Sequence, residues 1–191
     1  MSKSKRRRRP KQRRKAKLRK RIRKIQRKRN REVQHSEYLG MFQPFIDDEY
    51  QRGSKTLYRW THHPITEDDF LPQVFQSFSD IDIDGIDVPS PSGSKKRIAS
   101  YVEKFTLSHF ETEQQAIGRY NEVISNLKNS DHPERAEGFK ESKGSYLTKC
   151  NYSEDDILFG QPDEHGHINV LLCKGFDARR VVDTTYTLKI V

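Results

Sequence analysis

TEQQAIGRYNEVISNLKN (residues 112–129) carries the strongest secondary-structure signal in the chain. Thr112 can accept a hydrogen bond from the first turn of a helix, and Gln115 follows three residues later, which is the spacing of a capping box. Apolar residues then recur every three or four positions, as the buried face of a helix requires. These residues are Ala116, Ile117, Tyr120, Val123, Ile124 and Leu127. The pattern predicts an amphipathic helix.

Strand-like runs flank this helix. YVEKFTLSHF (101–110) precedes it with alternating character, and a polar loop over 128–143 follows it. Four further runs are separated by turn residues: GSYLTKC (144–150), DILFG (156–160), HINVLLC (167–173) and RVVDTTYTLKIV (180–191). The order strand, helix and then several strands predicts an α+β fold in which one helix packs on a small, mainly antiparallel sheet.

The residues before this region have weaker signals. Tyr38 to Ile46 predict a short helix with a turn or kink at Pro44, and SKTLYRW (54–60) has the composition of a strand. Thr66 is a predicted helix cap, because acidic residues follow it where the helix dipole favours them. The Pro/Ser/Gly-rich end of 79–94 predicts a boundary. Three segments result: a basic arm (1–31), an acidic amino-terminal lobe (32–92) and an α+β carboxy-terminal lobe (93–191).

Charge is divided sharply along the chain. The arm contains 20 of the 37 Lys and Arg and none of the 27 Asp and Glu, so its net charge is +20. The remaining 17 basic and 27 acidic residues give residues 32–191 a net charge of −10. Repulsion between like charges predicts a disordered tip up to about Arg14. Beyond it, Leu18, Ile22 and Ile25 form a narrow apolar stripe on a predicted basic helix.

The arm predicts binding to nucleic acid, since each Lys or Arg that neutralises a phosphate releases counterions. Phosphate contacts position a protein without reading sequence, so DNA and RNA both stay open. The predicted nucleic-acid-binding residues are Arg6, Arg7, Arg8, Arg9, Lys11, Arg13, Arg14, Lys15, Lys17, Arg19, Lys20, Arg21, Arg23, Lys24, Arg27, Lys28, Arg29 and Arg31. A targeting signal, contact with an anionic membrane or fold-back onto the acidic body would use the same charges.

The rest of the composition limits the class of protein. Residues 45–92 contain ten acidic and three basic residues, which predicts a surface that docks a protein partner or the arm itself. There is no signal-peptide pattern, no apolar run of membrane-spanning length and only two cysteines, Cys150 and Cys173. We therefore expect a cytoplasmic protein, or a nuclear or nucleoid-associated one, with buried reduced thiols and no membrane partner. No cofactor or metal is predicted, because phosphate-loop, zinc-finger and dinucleotide motifs are absent.

YRWTHHP (58–64) is the densest cluster of functional residue types. The candidate pocket residues are Arg59, Trp60, His62 and His63, and they precede the acidic run 67–69. Histidines beside carboxylates can transfer protons or bind metals. Adjacent residues on a strand point to opposite faces, however, so both histidines do not easily serve one site. No catalytic residue is assigned.

Two acidic motifs are better explained as turns. DIDIDGID (80–87) begins like a calcium loop, but its twelfth position is Pro91 where a glutamate is needed. Asp84-Gly85 predicts a hairpin turn instead, with Ile86 and Val88 resuming a strand. DEHGH (163–167) is likewise predicted as a turn between two strands.

The sequence thus predicts a non-catalytic, nucleic-acid-associated accessory protein whose arm binds phosphates while its acidic body docks a partner. Two alternatives stay open. One is a small enzyme or toxin-like effector that uses the Arg/His/acid cluster over 59–69. The other is a structural component of a ribonucleoprotein or capsid.

Overall fold

The computed structural model describes residues 32–76 and 82–190. The basic arm lies outside the described residues. The disordered tip and the basic helix predicted for the arm therefore also lie outside the described residues, and so does every predicted phosphate-binding residue. The first two residues of the DIDIDGID motif, Asp80 and Ile81, are also outside them.

Helices and strands alternate irregularly along the described residues. The α-helices are α1 (Ser36–Leu39), α2 (Gln43–Glu49), α3 (Lys95–Glu103), α4 (Glu113–Lys128), α5 (Arg135–Lys143) and α6 (Ala178–Val181). Short 3₁₀ helices span Gly40–Phe42, Glu67–Phe70 and Gln73–Phe75. The strands are β1 (Gln51–Arg52), β2 (Lys55–Thr61), β3 (Leu107–Phe110), β4 (Tyr146–Tyr152), β5 (Ile157–Phe159), β6 (His167–Leu172) and β7 (Val182–Lys189). None of the helices in the described ranges has the length and apolar character needed to cross a membrane.

The strands form one seven-stranded antiparallel sheet in the order β1-β5-β6-β3-β2-β4-β7. The predicted α+β fold is confirmed, although several helices, and not one, accompany the sheet. The longest pairing joins β2 to β4, from Lys55 opposite Tyr152 to Thr61 opposite Tyr146. β2 meets β3 at a single registered pair, Tyr58 opposite Phe110.

The boundary predicted near residue 92 falls between strands of this one sheet. Segment 32–92 supplies β1 and β2, and β2 pairs with a strand from segment 93–191 on each side. The burial pattern of β2 explains its central place, because Leu57, Arg59 and Thr61 alternate as buried residues. The two segments therefore share the sheet.

Helix α4 forms where the sequence predicts it. Its capping box is present: the Gln115 amide donates to Thr112 Oγ1 (3.2 Å), and the Thr112 amide donates to Gln115 Oε1 (3.1 Å). Ala116, Tyr120 and Ile124 are buried against the sheet. Helices α1 to α3 pack on the same face of the sheet, over Leu158 and Leu171.

The opposite face of the sheet carries a second apolar layer. Its buried members include Leu57, Leu107, Ile168, Val170, Ile157, Tyr152 and Cys150, covered by Phe70 and Val181. Cys150 and Cys173 are both free and buried, as predicted. Burial raises the pKa of the Cys150 thiol to about 12, so this thiol is a poor nucleophile at neutral pH.

Two predicted elements are wrong. The strand predicted over 101–110 holds only for β3, since residues 95–103 form α3 with Ser94 at its cap. Ile98, Tyr101 and Val102 are buried at helical spacing, and this tertiary contact overrides the local alternation. The polar loop predicted over 128–143 contains α5, whose apolar face is thin because Ala136 is its one fully buried residue.

Candidate functional site

A polar cleft of about 570 Å³ is lined by residues from the end of α3, the end of α5 and the strands β2, β3 and β6. It lies where β2 and β3 cease to pair, beyond the single pair Tyr58–Phe110. At that point Ser108, on β3, has Asn169 of β6 as its strand partner, and both residues line the cleft. The gap between two strands of the sheet thus creates the floor of the site.

Arg59 is the central residue of this cleft. Its side chain is 7% exposed and is held by backbone carbonyls, with Nε donating to Asp69 (2.5 Å) and Nη1 to Ser108 (2.8 Å). No carboxylate in the described ranges forms an ion pair with it. Burial lowers its pKa, a shift opposed by Tyr152 and Asp69, yet a guanidinium stays protonated at any physiological pH. The cleft therefore contains a buried positive charge without an ion-pair partner.

His62 and Asp69 form a clamp at the edge of the cleft. His62 Nδ1 lies 2.7 Å from Asp69 Oδ1, and Nε2 lies 2.8 Å from the Glu141 carbonyl oxygen. Both partners are acceptors, so both ring nitrogens must carry a proton. Burial alone would lower the pKa of His62, but the bonds to Glu141 and Asp69 outweigh it and raise the pKa. The clamp ties the end of α5 to the 3₁₀ helix Glu67–Phe70.

Asp69 also completes the start of that 3₁₀ helix. Its Oδ2 accepts from the Thr66 amide (2.7 Å) and from Thr66 Oγ1 (3.1 Å). The capping role predicted for Thr66 is confirmed. Asp69 is 4% exposed, and each of its carboxylate oxygens is occupied by two donors.

Residues far apart in the chain complete the lining, and sequence reasoning missed them. Lys143, on the last turn of α5, approaches Gln76 Oε1 at 3.4 Å. Burial and then the charge of Arg59 lower the pKa of Lys143. His167 lies opposite, and burial lowers its pKa although Asp163 acts against the shift. No local signal could have found these residues, because long-range strand pairing and α5 bring them together.

The four predicted pocket residues do not all belong to one site. Arg59, Trp60 and His62 line the cleft, but the indole of Trp60 packs against Phe110, Tyr120 and Phe139 at centroid distances of 5.0, 5.3 and 5.7 Å. Its Nε1 donates to the Ala116 carbonyl (3.0 Å), which fixes α4 on the sheet. His63 does not line this cleft, and its exposed ring packs on Tyr146 at 5.0 Å. Of the four predicted pocket residues, Arg59 and His62 contribute charged groups to the cleft.

The two acidic motifs show turns. Gly85 N donates to the Asp82 carbonyl (3.2 Å), but Ile86 and Val88 form no strand, so the predicted hairpin is wrong for its second half. In the DEHGH motif, Asp163 Oδ1 accepts from the amides of His165 and His167, as a turn requires. Within residues 32–76 and 82–190, no group of three or more His, Cys, Asp or Glu side chains is arranged to hold a metal ion.

Behind Arg59, His109 is completely buried in β3. Nδ1 faces the Leu107 carbonyl (3.4 Å) and Nε2 lies 2.7 Å from the Tyr152 hydroxyl. Since a carbonyl only accepts, Nδ1 carries the proton and Nε2 accepts from Tyr152. Burial, together with the positive charge of Arg59, holds the pKa of His109 well below its usual value.

Acid is therefore expected to destabilise the fold as pH falls below about 6.5, by up to about 1.4 kcal/mol per pH unit for this one group. The folded state keeps His109 neutral while the unfolded chain binds a proton, so stability is complete above the ordinary pKa and declines below it. Urea unfolding over this pH range measures the slope. His109→Gln is expected to flatten it in part, because burial also lowers the pKa values of His35 and His167. An unchanged slope in the variant would contradict this assignment.

Comparison with known proteins adds no relative from which a role could be transferred. The chain matches no family model, and neither curated proteins nor solved structures give a significant match. Function must therefore be argued from the residues themselves.

Proposed function

We propose that the protein is a nucleic-acid-associated accessory protein without a catalytic role. Its arm binds DNA or RNA phosphates, and its acidic body docks a protein partner. The observation that carries this proposal is the division of charge, +20 on residues 1–31 against −10 on residues 32–191. Arginine and lysine at this density attract a polyanion at long range and release its counterions on binding.

The acidic segment supports a separate role for the body. Asp48, Glu67 and Asp84 are exposed, whereas Asp87 forms a surface ion pair with Arg97 at 2.6 Å. Exposed carboxylates repel nucleic acid and favour a basic protein surface. The body is thus suited to a different partner from the one that the arm binds.

The geometry of the clamp favours binding over catalysis. His62 is the histidine that the enzyme alternative needs as a base, but both of its ring nitrogens donate, to Asp69 and to the Glu141 carbonyl. An imidazolium without a free lone pair accepts no proton. The carboxylate of Asp69 is likewise occupied by four donors. These contacts give the pair a positioning role.

Neutralising the tip of the arm should reduce the salt dependence of nucleic-acid binding. In the full chain, Arg6, Arg7, Arg8 and Arg9 are each replaced by Gln. If all four contact phosphates, the slope of log K against log salt becomes shallower by about 3 to 4 for duplex DNA, since each contact contributes about 0.9. Fluorescence anisotropy with labelled duplex DNA, single-stranded DNA and RNA over a salt series measures this change and compares the three polymers.

A matched variant keeps the arm and removes four basic residues from the body. Lys95, Lys96, Lys128 and Lys174 are exposed, and their replacement by Gln should leave the slope unchanged. An arm variant with the wild-type slope, or a body variant with the larger loss, would refute the proposed role of the arm. Sedimentation of a lysate with and without nuclease separates the accessory role from the ribonucleoprotein or capsid alternative.

A further inference from the structure

We infer that the cleft beside β2 binds a small phosphorylated ligand whose phosphate is held by Arg59 and Lys143. This site is formed by residues of the body, so the inference extends the proposed function and does not depend on it.

The Arg59 guanidinium is bonded to the protein on only part of its donor edge. Two of its nitrogens are fixed by the carbonyls of Asp69 and Ser108. The third, Nη2, donates to no described residue, and it is not sealed from solvent as the unpartnered Tyr186 hydroxyl is. A charge that is more than nine-tenths buried without an ion-pair partner is costly, and an incoming anion offsets that cost. The backbone bonds also hold the guanidinium in a fixed orientation before the ligand arrives.

A second cation, Lys143, faces the same cleft as Arg59. Lys143 lines the cleft, and among the described residues its hydrogen-bond partner is Gln76, at the long distance of 3.4 Å. The charge of Arg59 contributes to the lowered pKa of Lys143, so the two groups repel each other across the cleft. A phosphate between them converts this repulsion into two attractions, and Arg and Lys are the usual phosphate-binding pair in proteins.

The other residues that line the cleft indicate which kind of molecule the phosphate group belongs to. Asp69 accepts hydrogen bonds from His62 and Thr66, and Asp163 accepts from the amides of the turn over 163–167, so donors of the protein already bind both carboxylates. Glu103 also lines the cleft, together with the amides of Gln73, Gln76, Gln161 and Asn169. Carboxylates and amides accept hydrogen bonds from hydroxyl groups. A volume of about 570 Å³ is in the usual range for small-molecule sites, and these groups suit a sugar phosphate or a mononucleotide.

The test uses the full chain in about 0.3 M NaCl, where exposed charges are strongly screened. Ribose 5-phosphate, adenosine 5′-monophosphate, inorganic phosphate and adenosine are titrated, with calorimetry and the fluorescence of Trp60, the one tryptophan, as readouts. Ribose 5-phosphate or the mononucleotide should bind at least about tenfold more tightly than adenosine. Lys143→Gln should weaken that binding about tenfold, and Arg59→Lys should weaken it too because the planar fork is lost.

Lys140→Gln is the matched control, because Lys140 is on the same helix and pairs with Glu137 at 2.6 Å. It should bind as the wild type does. Equal binding by the Lys143 and Lys140 variants, or no binding of any phosphorylated probe at millimolar concentration, overturns the proposal. The four-arginine arm variant is titrated in parallel. If it alone loses affinity for the probes, the phosphates bind the arm, which refutes the cleft site and leaves the proposed function intact.

Discussion

Replacing Gly144 by alanine is expected to destabilise the fold by about 4 kcal/mol, combining backbone strain with overpacking. Gly144 has a φ of 77°, in the left-handed region that side chains other than glycine rarely adopt. A Cβ built on it would lie 1.9 Å from the Thr61 carbonyl oxygen and 2.6 Å from the His62 amide nitrogen. Both neighbours are backbone atoms, so no side-chain rotation can relieve the clash.

The Gly144→Ala substitution should also disturb the cleft, because of where Gly144 lies. It directly follows α5, which ends with Lys143, and its carbonyl accepts from the Tyr120 hydroxyl at 3.0 Å. The end of β2, the end of α5 and the middle of α4 therefore meet at this residue. A backbone shift that admits a methyl group is therefore expected to displace Lys143, which precedes Gly144, or His62, whose amide nitrogen meets the added Cβ.

Urea unfolding of Gly144→Ala, beside Gly118→Ala and Gly138→Ala, checks this prediction. The two control glycines are exposed within helices, and a Cβ added to either would meet no heavy atom within 4 Å. Each control should stabilise the protein by roughly 0.5 to 1 kcal/mol, because alanine is the better helix former. A Gly144 variant within about 1 kcal/mol of the wild type would show that the β2–α5 junction is less tightly packed than we describe.

The sequence predicted the elements whose signals are local. The Thr112–Gln115 capping box, the Thr66 cap and the last strand each depend on neighbouring residues, and all three appear in the structure. Helix α5 was missed because its outward residues are polar and its one fully buried residue, Ala136, is too small to create a periodic signal.

The site could be predicted only in part. Arg59 and His62 stood out because YRWTHHP (58–64) is the densest cluster of functional residue types and directly precedes the acidic run 67–69. Their partners could not be found, since His62 meets Glu141 at a separation of 79 residues and Arg59 meets Ser108 at 49. Such contacts depend on strand order, and the order β3-β2-β4 places a strand from the acidic segment in the centre of the sheet.

Replacing Asp69 by asparagine is expected to cost about 3 kcal/mol, since hydrogen bonds to a buried charged group contribute about 1.5 to 3 kcal/mol each and act together here. The carboxylate accepts from the amides of His62 and Thr66, from His62 Nδ1 and from Thr66 Oγ1, at 2.7 to 3.1 Å. An asparagine keeps one acceptor oxygen, but its NH₂ group replaces the other oxygen. The N–H groups of that NH₂ then face N–H or O–H donors of His62 or Thr66. The 3₁₀ helix then loses its cap, and α5 loses the anchor at Glu141.

The matched control is Glu67→Gln in the same 3₁₀ helix, where the side chain is exposed and a change of less than about 0.5 kcal/mol is expected. Chemical unfolding of both variants measures the difference. Because Glu67 and Asp69 are both acids of one short helix, a general loss of negative charge would affect the two variants alike.

The pH dependence of the Asp69→Asn effect separates the ion pair from simple packing. Because the net pKa of His62 is raised in the folded state, the stability gained from its protonation is complete below the ordinary pKa and is lost as pH rises through the raised value. The bond to the Glu141 carbonyl raises the pKa of His62 most, and the Asp69 carboxylate raises it further. Removing the carboxylate therefore removes part of that gain, so the variant should be more destabilised near about pH 6 than near about pH 9. A pH-independent loss of stability would show that His62 is neutral in the clamp. One of its ring nitrogens could then act as a base. His62 would in that case supply the base that the enzyme alternative requires.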